Sequence, residues 1–244
     1  MRKVLLITTA VTAAATATAG CGRDRAETGG PTVQRTYPVG AFEEIEVAGP
    51  YDVQVRTGDN PSVAASGPEK VIEKLVIEVK GDKLLIHPSK ERKWWGSWGS
   101  SHGSAKIQVT VPSLKGAAIA GSGGIAIDKV KGASFDASVA GSGDLSIESL
   151  EVEGLNVSVA GSGDVRARSG QVRSADYSIA GSGDIDARGV RSETADVSIA
   201  GSGSVAAQAT GTADVSIMGS GDVELTGGAK CSVSKVGSGD VRCS

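Results

Sequence analysis

Ser158-Val159-Ala160-Gly161-Ser162-Gly163-Asp164-Val165-Arg166-Ala167 carries the pattern that decides the fold. Apolar and polar residues alternate on both sides of a Gly-Ser-Gly corner, which is the period of a half-buried strand. The corner recurs at Gly121, Gly141, Gly161, Gly181, Gly201, Gly219 and Gly237, in steps of 20, 20, 20, 20, 18 and 18 residues. Counting from the first glycine of each copy, position −2 holds Val139, Val159, Ile179, Ile199 and Ile217. Position −4 holds Ala137, Val157, Tyr177, Val197, Val215 and Val233. Position +4 holds Ile125, Leu145, Val165, Ile185, Val205, Val223 and Val241, and position +6 holds Ile127, Ile147, Ala167, Ala187, Ala207, Leu225 and Cys243. Between them stand Ser138, Ser158, Ser178, Ser198, Ser216 and Ser234 at −3, and Asp136, Asn156, Asp176, Asp196 and Asp214 at −5.

A unit this short cannot bury its apolar face alone, whereas stacked units share one continuous core. A step of 18–20 residues suits one coil of a β-helix, with two or three short strands joined by tight corners. Glycine suits the corner because it tolerates positive φ. The small inward residues Ala167, Ala187 and Ala207 suit a narrow interior. A β-sandwich of seven hairpins is the structural rival, and it predicts more variable spacing. The expected class is all-β: a parallel β-helix, or solenoid, with 18–20-residue coils.

Residues 113–244 form the regular coils, and residues 37–112 read as irregular N-terminal coils and a cap. Glu46-Val47-Ala48-Gly49-Pro50-Tyr51-Asp52-Val53-Gln54-Val55 aligns with the repeat as a degenerate first coil. Pro68-Glu69-Lys70-Val71-Ile72-Glu73-Lys74-Leu75 reads as a short helix with proline in its first turn. Val76–Val79, Leu84–Ile86 and Ile107–Val111 read as strands, and solenoids need such a capping region.

The N-terminus reads as an address. Met1-Arg2-Lys3 is basic, the 17 residues Val4–Gly20 are uncharged, and Thr18-Ala19-Gly20-Cys21 closes the segment. Residues 1–20 are read as a secretory signal peptide. The run is at the short limit for a membrane span. Its small-small-Cys ending resembles a bacterial lipobox, which implies cleavage before Cys21 and lipid attachment to its thiol. An ordinary signal peptide with an incidental Cys21 is the alternative. Residues 21–36 then read as the lipidated cysteine and a flexible tether. The expected location is outside the cell, with the chain lipid-anchored to the outer face of the cell membrane. Setting Cys21 aside leaves Cys231 and Cys243, an even remainder that suggests a disulfide in an exported chain. They stand at −6 and +6 of the last coil, both core positions elsewhere, so both thiols are expected to point inward. Two free buried thiols are the rival.

From about Ala41 to Arg242 the chain resembles the auto-transporter adhesin head GIN domain family. The resemblance rests on Phe42-Glu43-Glu44-Ile45-Glu46-Val47, Asp52-Val53-Gln54-Val55, Val109-Thr110-Val111-Pro112 and the Gly-Ser-Gly-Asp coils. It implies a right-handed parallel β-helix and an adhesin-like role, and it transfers no catalytic residue. The Gly-Ile-Asn tripeptide of the family name is absent; the nearest string is Gly124-Ile125-Ala126.

Position +3 is Asp144, Asp164, Asp184, Asp222 and Asp240, interrupted by Gly124 and Ser204. Each Asp is read as capping its own turn, with Arg166, Arg168, Arg188 and Arg242 softening the repulsion between them. Calcium-binding β-rolls are the sharper alternative, but they carry about nine residues per turn; no metal site or cofactor is expected. The Ser and Asp/Asn rows at −3 and −5 make a flat face, either simply solvated or used for binding. Trp94, Trp95 and Trp98, all the tryptophans of the chain, fall in one Gly/Ser-rich loop. They are candidate ligand-binding residues, because indole rings stack on sugars and anchor interfaces, unless the loop folds back over the helix end. His87 and His102 form no metal-protease or hydrolase motif. A net charge of −3 lacks the basic stripe that nucleic acid requires. The expectation is a surface-anchored, adhesin-like binding or structural lipoprotein of the bacterial envelope, not an enzyme. Its partners are the membrane, through the lipid, and a surface glycan or protein ligand. A carbohydrate-binding protein using the Trp loop is the first alternative. A polysaccharide-acting β-helix enzyme is the second, and it would need a unique carboxylate cluster.

Overall fold

Equivalent residues of successive coils lie side by side. In the computed structural model, which describes residues 31–89 and 104–244, Val139 pairs with Val159, Val159 with Ile179 and Ile179 with Ile199. Parallel ladders of this kind repeat about every 4.8 Å. The stack forms a β-solenoid of about six turns.

The N-terminal part comprises β1 (Thr32–Tyr37), β2 (Glu44–Ala48), β3 (Asp52–Thr57), β4 (Ser62–Pro68), α1 (Glu69–Ile72), β5 (Leu75–Lys80), β6 (Lys83–Pro88) and β7 (Lys106–Val111). The repeat region comprises β8 (Gly116–Gly121), β9 (Gly124–Gly141), β10 (Asp144–Gly161), β11 (Val165–Ala167), β12 (Gly170–Gln171) and β13 (Ser174–Gly181). It continues with β14 (Ile185–Gly201), β15 (Ser204–Gly219), β16 (Asp222–Thr226), β17 (Lys230–Gly237) and β18 (Val241–Cys243).

The degenerate first coil is real. β2 lies parallel to β8, and β3 lies parallel to β9, so Gly49-Pro50-Tyr51 occupies the corner of Gly121-Ser122-Gly123. Gly49 has the positive φ of the repeat corners. Beyond this coil the pattern changes: β4 runs antiparallel to β7, β5 antiparallel to β6, and α1 follows Pro68. One expectation needs correcting. The tether read through Thr36 ends earlier, because Thr32–Tyr37 is a strand paired antiparallel with β4. Its polar residues gave no period signal; the partner strand supplies the reason for its conformation.

The inward columns at −2, −4, +4 and +6 are buried in the central coils, and Phe135 and Leu155 join them at −6. A third, shorter wall closes each coil with Val130, Leu150 and Val190. The corners stack as tightly as the strands. The N–H of Ser162 donates to Gly141 O at 2.8 Å, and that of Ser182 to Gly161 O at 2.8 Å. A Cβ on Gly161 or Gly163 would come closer than 3.0 Å to the carbonyl oxygen of Gly141 or Gly143 in the preceding coil. Gly161 also has φ +129°, so the corner needs its glycines twice over.

The Asp residues at +3 cap a different turn from the one expected. The N–H of Asp164 donates to Asp144 Oδ1 at 3.3 Å, that of Asp184 to Asp164 Oδ1 at 3.1 Å, and that of Ser204 to Asp184 Oδ1 at 2.9 Å. Asp240 and Asp222 repeat the arrangement at 2.8 Å. The carboxylates of Asp144, Asp164, Asp184 and Asp222 therefore reach across to the next coil. This placement turns a column of like charges into a ladder of charge-assisted hydrogen bonds.

Cys231 and Cys243 are bonded to each other, with Cα atoms 6.6 Å apart. For a loop of this length the chain-entropy contribution is about 3 kcal/mol. Both stand at inward positions, Cys231 beside Ala213 and Cys243 beside Leu225, but the disulfide is only partly covered: Cys231 is partly buried and Cys243 is exposed. Among the described residues no strand stacks beyond β17 and β18, and Val233, inward in its column, is 48% exposed for the same reason. Lys235, which pairs with Ile217, turns its ammonium to Gly239 O at 2.6 Å. A charge at this inward position discourages another strand from adding to the open edge.

Candidate functional site

Three outward surfaces follow from the three walls of the coil. The first carries the rows at −1, −3 and −5. Ala140, Ala160, Ala180 and Ala200 stand beside Ser138, Ser158, Ser178 and Ser198, and these beside Asp136, Asn156, Asp176 and Asp196, all exposed. The face is flat because the side chains are short. Asn156 Nδ2 donates to Asp136 Oδ1 at 2.7 Å, so the amide interrupts the acidic row. Farther along, Asp176, Asp196 and Asp214 stack on successive rungs. Desolvation by its crowded neighbours, together with the carboxylates of Asp176 and Asp214, raises the pKa of Asp196 above the ordinary carboxylate value. Among the described residues no cluster of His, Cys, Asp and Glu has the geometry to hold a metal ion.

The second surface, at +3 to +7, is charged and largely self-paired. Arg166 meets Asp164 at 2.8 Å, Arg168 meets Glu148 at 3.1 Å and Arg188 meets Asp186 at 3.1 Å. Of the four arginines expected to soften the Asp ladder, only Arg166 pairs with a ladder carboxylate.

The third wall carries a groove of about 880 Å³ that the reading of the sequence did not identify. Two polar columns border it. Glu151, Gln171 and Arg191 form one, and Glu153, Arg173 and Glu193 the other, each spaced by 20 residues. Val152, Val172 and Ser192 run between them with their side chains turned inward. Backbone groups here pair from coil to coil: the N–H of Arg173 donates to Glu153 O at 2.9 Å and that of Glu193 to Arg173 O at 3.0 Å. The wall is irregular, with register shifts between Ala187 and Arg191 and between Ser192 and Thr194. The missed signal was the run Glu153, Arg173, Glu193 at +12, which carries no Gly-Ser-Gly marker.

Trp94, Trp95 and Trp98, with Cys21 and the signal and lipid segment, lie outside the described residues. Within those residues no helix is long and apolar enough to cross a membrane.

The sequence profile of the family described as "Putative auto-transporter adhesin, head GIN domain" matches residues 41–229. The chain belongs to this family. The head GIN match thus takes in the first coil, the ladder corners and the groove, and it stops before the disulfide-closed coil. A putative adhesin of Bacteroides fragilis shares 25% identity with this chain, at a TM-score of 0.80, over 88% of this chain and 97% of its own. A protein of Parabacteroides distasonis described as a putative lipid binding protein shares 27% identity at a TM-score of 0.71, over 88% of this chain and 97% of its own. A putative adhesin of Parabacteroides merdae, at 20% identity and a TM-score of 0.67 over 88% of this chain and 97% of its own, has the same fold. Among curated proteins none matches the chain in sequence. The head GIN relatives suggest an adhesin-like protein with an exported or surface location and surface ligands.

Proposed function

We propose that this chain is a lipid-anchored envelope protein that works by binding a surface ligand, not by turnover. The observation that carries the reading is the head GIN solenoid itself, whose relatives include putative adhesins. A rigid stack of coils can hold an outer face away from a membrane while its interior is filled by apolar side chains. Lipid on Cys21 would supply the attachment, since Thr18-Ala19-Gly20-Cys21 follows an uncharged run behind a basic start. Trp94, Trp95 and Trp98 are proposed as an aromatic contact in the same binding role. The Parabacteroides relative described as lipid binding keeps a lipid ligand within the range of partners to be screened.

Cys21→Ala tests the anchoring. The parent is expected in the membrane fraction, carrying metabolically incorporated lipid label, and the variant in the medium or unprocessed. Cells displaying the parent should adhere to a ligand-bearing surface, and cells making the variant should not. Equal membrane retention of both, with no label on the parent, would overturn the lipoprotein reading.

A further inference from the structure

We propose that the groove on the third wall is the ligand site, and that it takes an oligosaccharide chain laid along the solenoid axis. The proposal rests on the binding reading above and adds a place and a chemical class to it. The groove runs from Gly132 to Gly211, residues without side chains at its two ends. That span covers four coil steps, roughly 19 Å at the spacing of stacked strands. Its volume of about 880 Å³ lies within the range of ligand clefts.

The lining selects among ligands. Arg173 stands one rung from Glu153 on one side and Glu193 on the other, and Arg191 stands on the opposite column. Among the described residues none of these four side chains forms an ion pair within 4.0 Å, whereas Arg166, Arg168 and Arg188 on the neighbouring wall all do. Glu151, at the rim, is held by Lys131 at 2.5 Å. The unpaired groups are thus two guanidiniums and two carboxylates, with the Gln171 amide beside them. Guanidinium donates in a fork and carboxylate accepts at two oxygens. Adjacent sugar hydroxyls both donate and accept, so they can satisfy the two kinds of group at once. A polyanion would meet Glu153 and Glu193, and a cation would meet Arg173 and Arg191. A peptide that binds by adding a strand needs an open sheet edge, whereas the N–H groups of Val172, Arg173, Glu193 and Thr194 already bond to neighbouring coils. A bulky apolar ligand finds no aromatic surface in the lining.

The test uses the full-length chain in detergent on an array of neutral, amino-sugar and uronic-acid oligosaccharides printed beside unglycosylated peptides. Three variants are compared with the parent: Arg173→Ala with Arg191→Ala, Arg188→Ala on the neighbouring wall, and Trp94→Ala with Trp95→Ala and Trp98→Ala. The parent is expected to bind oligosaccharides. The groove double variant should bind at least about tenfold more weakly, the loss of charged hydrogen bonds. Arg188→Ala should bind as the parent does, and all exposed arginine variants should melt with it. Parent-like binding by the double variant, loss only on tryptophan substitution, groove-dependent binding to peptides alone, or no oligosaccharide binding would each overturn the proposal. Adherence of displaying cells, measured in parallel, separates the two readings. Adherence without oligosaccharide binding removes the groove alone, and failure of the parent to adhere removes the adhesin-like reading.

Discussion

Gly161→Ala is expected to destabilise the chain by about 3 kcal/mol or more, among the largest losses available to a surface substitution. Two effects combine. The residue has φ +129°, a conformation that L side chains rarely adopt. The added methyl would also meet the carbonyl oxygen of Gly141, which is fixed by its hydrogen bond from Ser162. That oxygen belongs to backbone stacked on both sides, so it cannot retreat without shifting a whole coil. Gly163→Ala tests the second effect with φ outside the left-handed region, because its methyl would meet Gly143 O. Ser162, exposed between them, should accept alanine within about 0.5 kcal/mol. Urea denaturation of the three variants measures the difference. A Gly161→Ala midpoint equal to that of Ser162→Ala would contradict the close stacking of the corners.

Tyr177→Ala is expected to lose much of the stability of the parent, and Tyr177→Phe none of it. Among the described residues Tyr177 is the largest fully buried side chain, and it stands in a column otherwise filled by Ala137, Val157, Val197 and Val215. Its own coil and the next carry Ala167, Ala175, Ala187 and Ala195 at other inward positions, which leaves room for the ring. Truncation to alanine opens a cavity where the neighbours are already small and cannot fill it, a loss of about 3–5 kcal/mol. The hydroxyl is a separate matter. It has no hydrogen-bond partner among the described residues, and burial pushes its pKa well above the ordinary phenol value. Removing an unsatisfied buried donor should leave Tyr177→Phe as stable as the parent, or more stable by about 1 kcal/mol. A loss of stability in the phenylalanine variant would reveal a buried partner for the hydroxyl and contradict this account.

The parts of the fold that were legible share one property: they are written in each coil separately. Val159, Val165 and Ala167 declare an inward side by alternation, and Gly161-Ser162-Gly163 declares the corner that both chain geometry and stacking demand. Pro68 likewise marks the start of α1 locally. What was not legible depends on a neighbour. Thr32–Tyr37 becomes a strand only because β4 lies beside it. The Asp144 carboxylate finds its donor in Asp164 of the next coil, where a reading within one turn places it at home. Cys243 has the inward position of Leu225 but not its burial, since burial comes from the coil above. The groove is the same lesson at the level of a site. Glu153, Arg173 and Glu193 are unremarked charges in their own coils and become a column only on stacking.

The central claim is that each coil is an interchangeable rung held by its two neighbours, and deletion of residues 161–180 tests it directly. Ala160 is then followed by Gly181, which takes the register of Gly161, and Asp184 comes to face Asp144 as Asp164 did. Because solenoid stability is a sum over units and their interfaces, the shortened chain should keep its β-type circular dichroism and melt cooperatively at a somewhat lower temperature. A shortened chain that is wholly unfolded, while the parent melts cooperatively, would contradict the stacked-coil account.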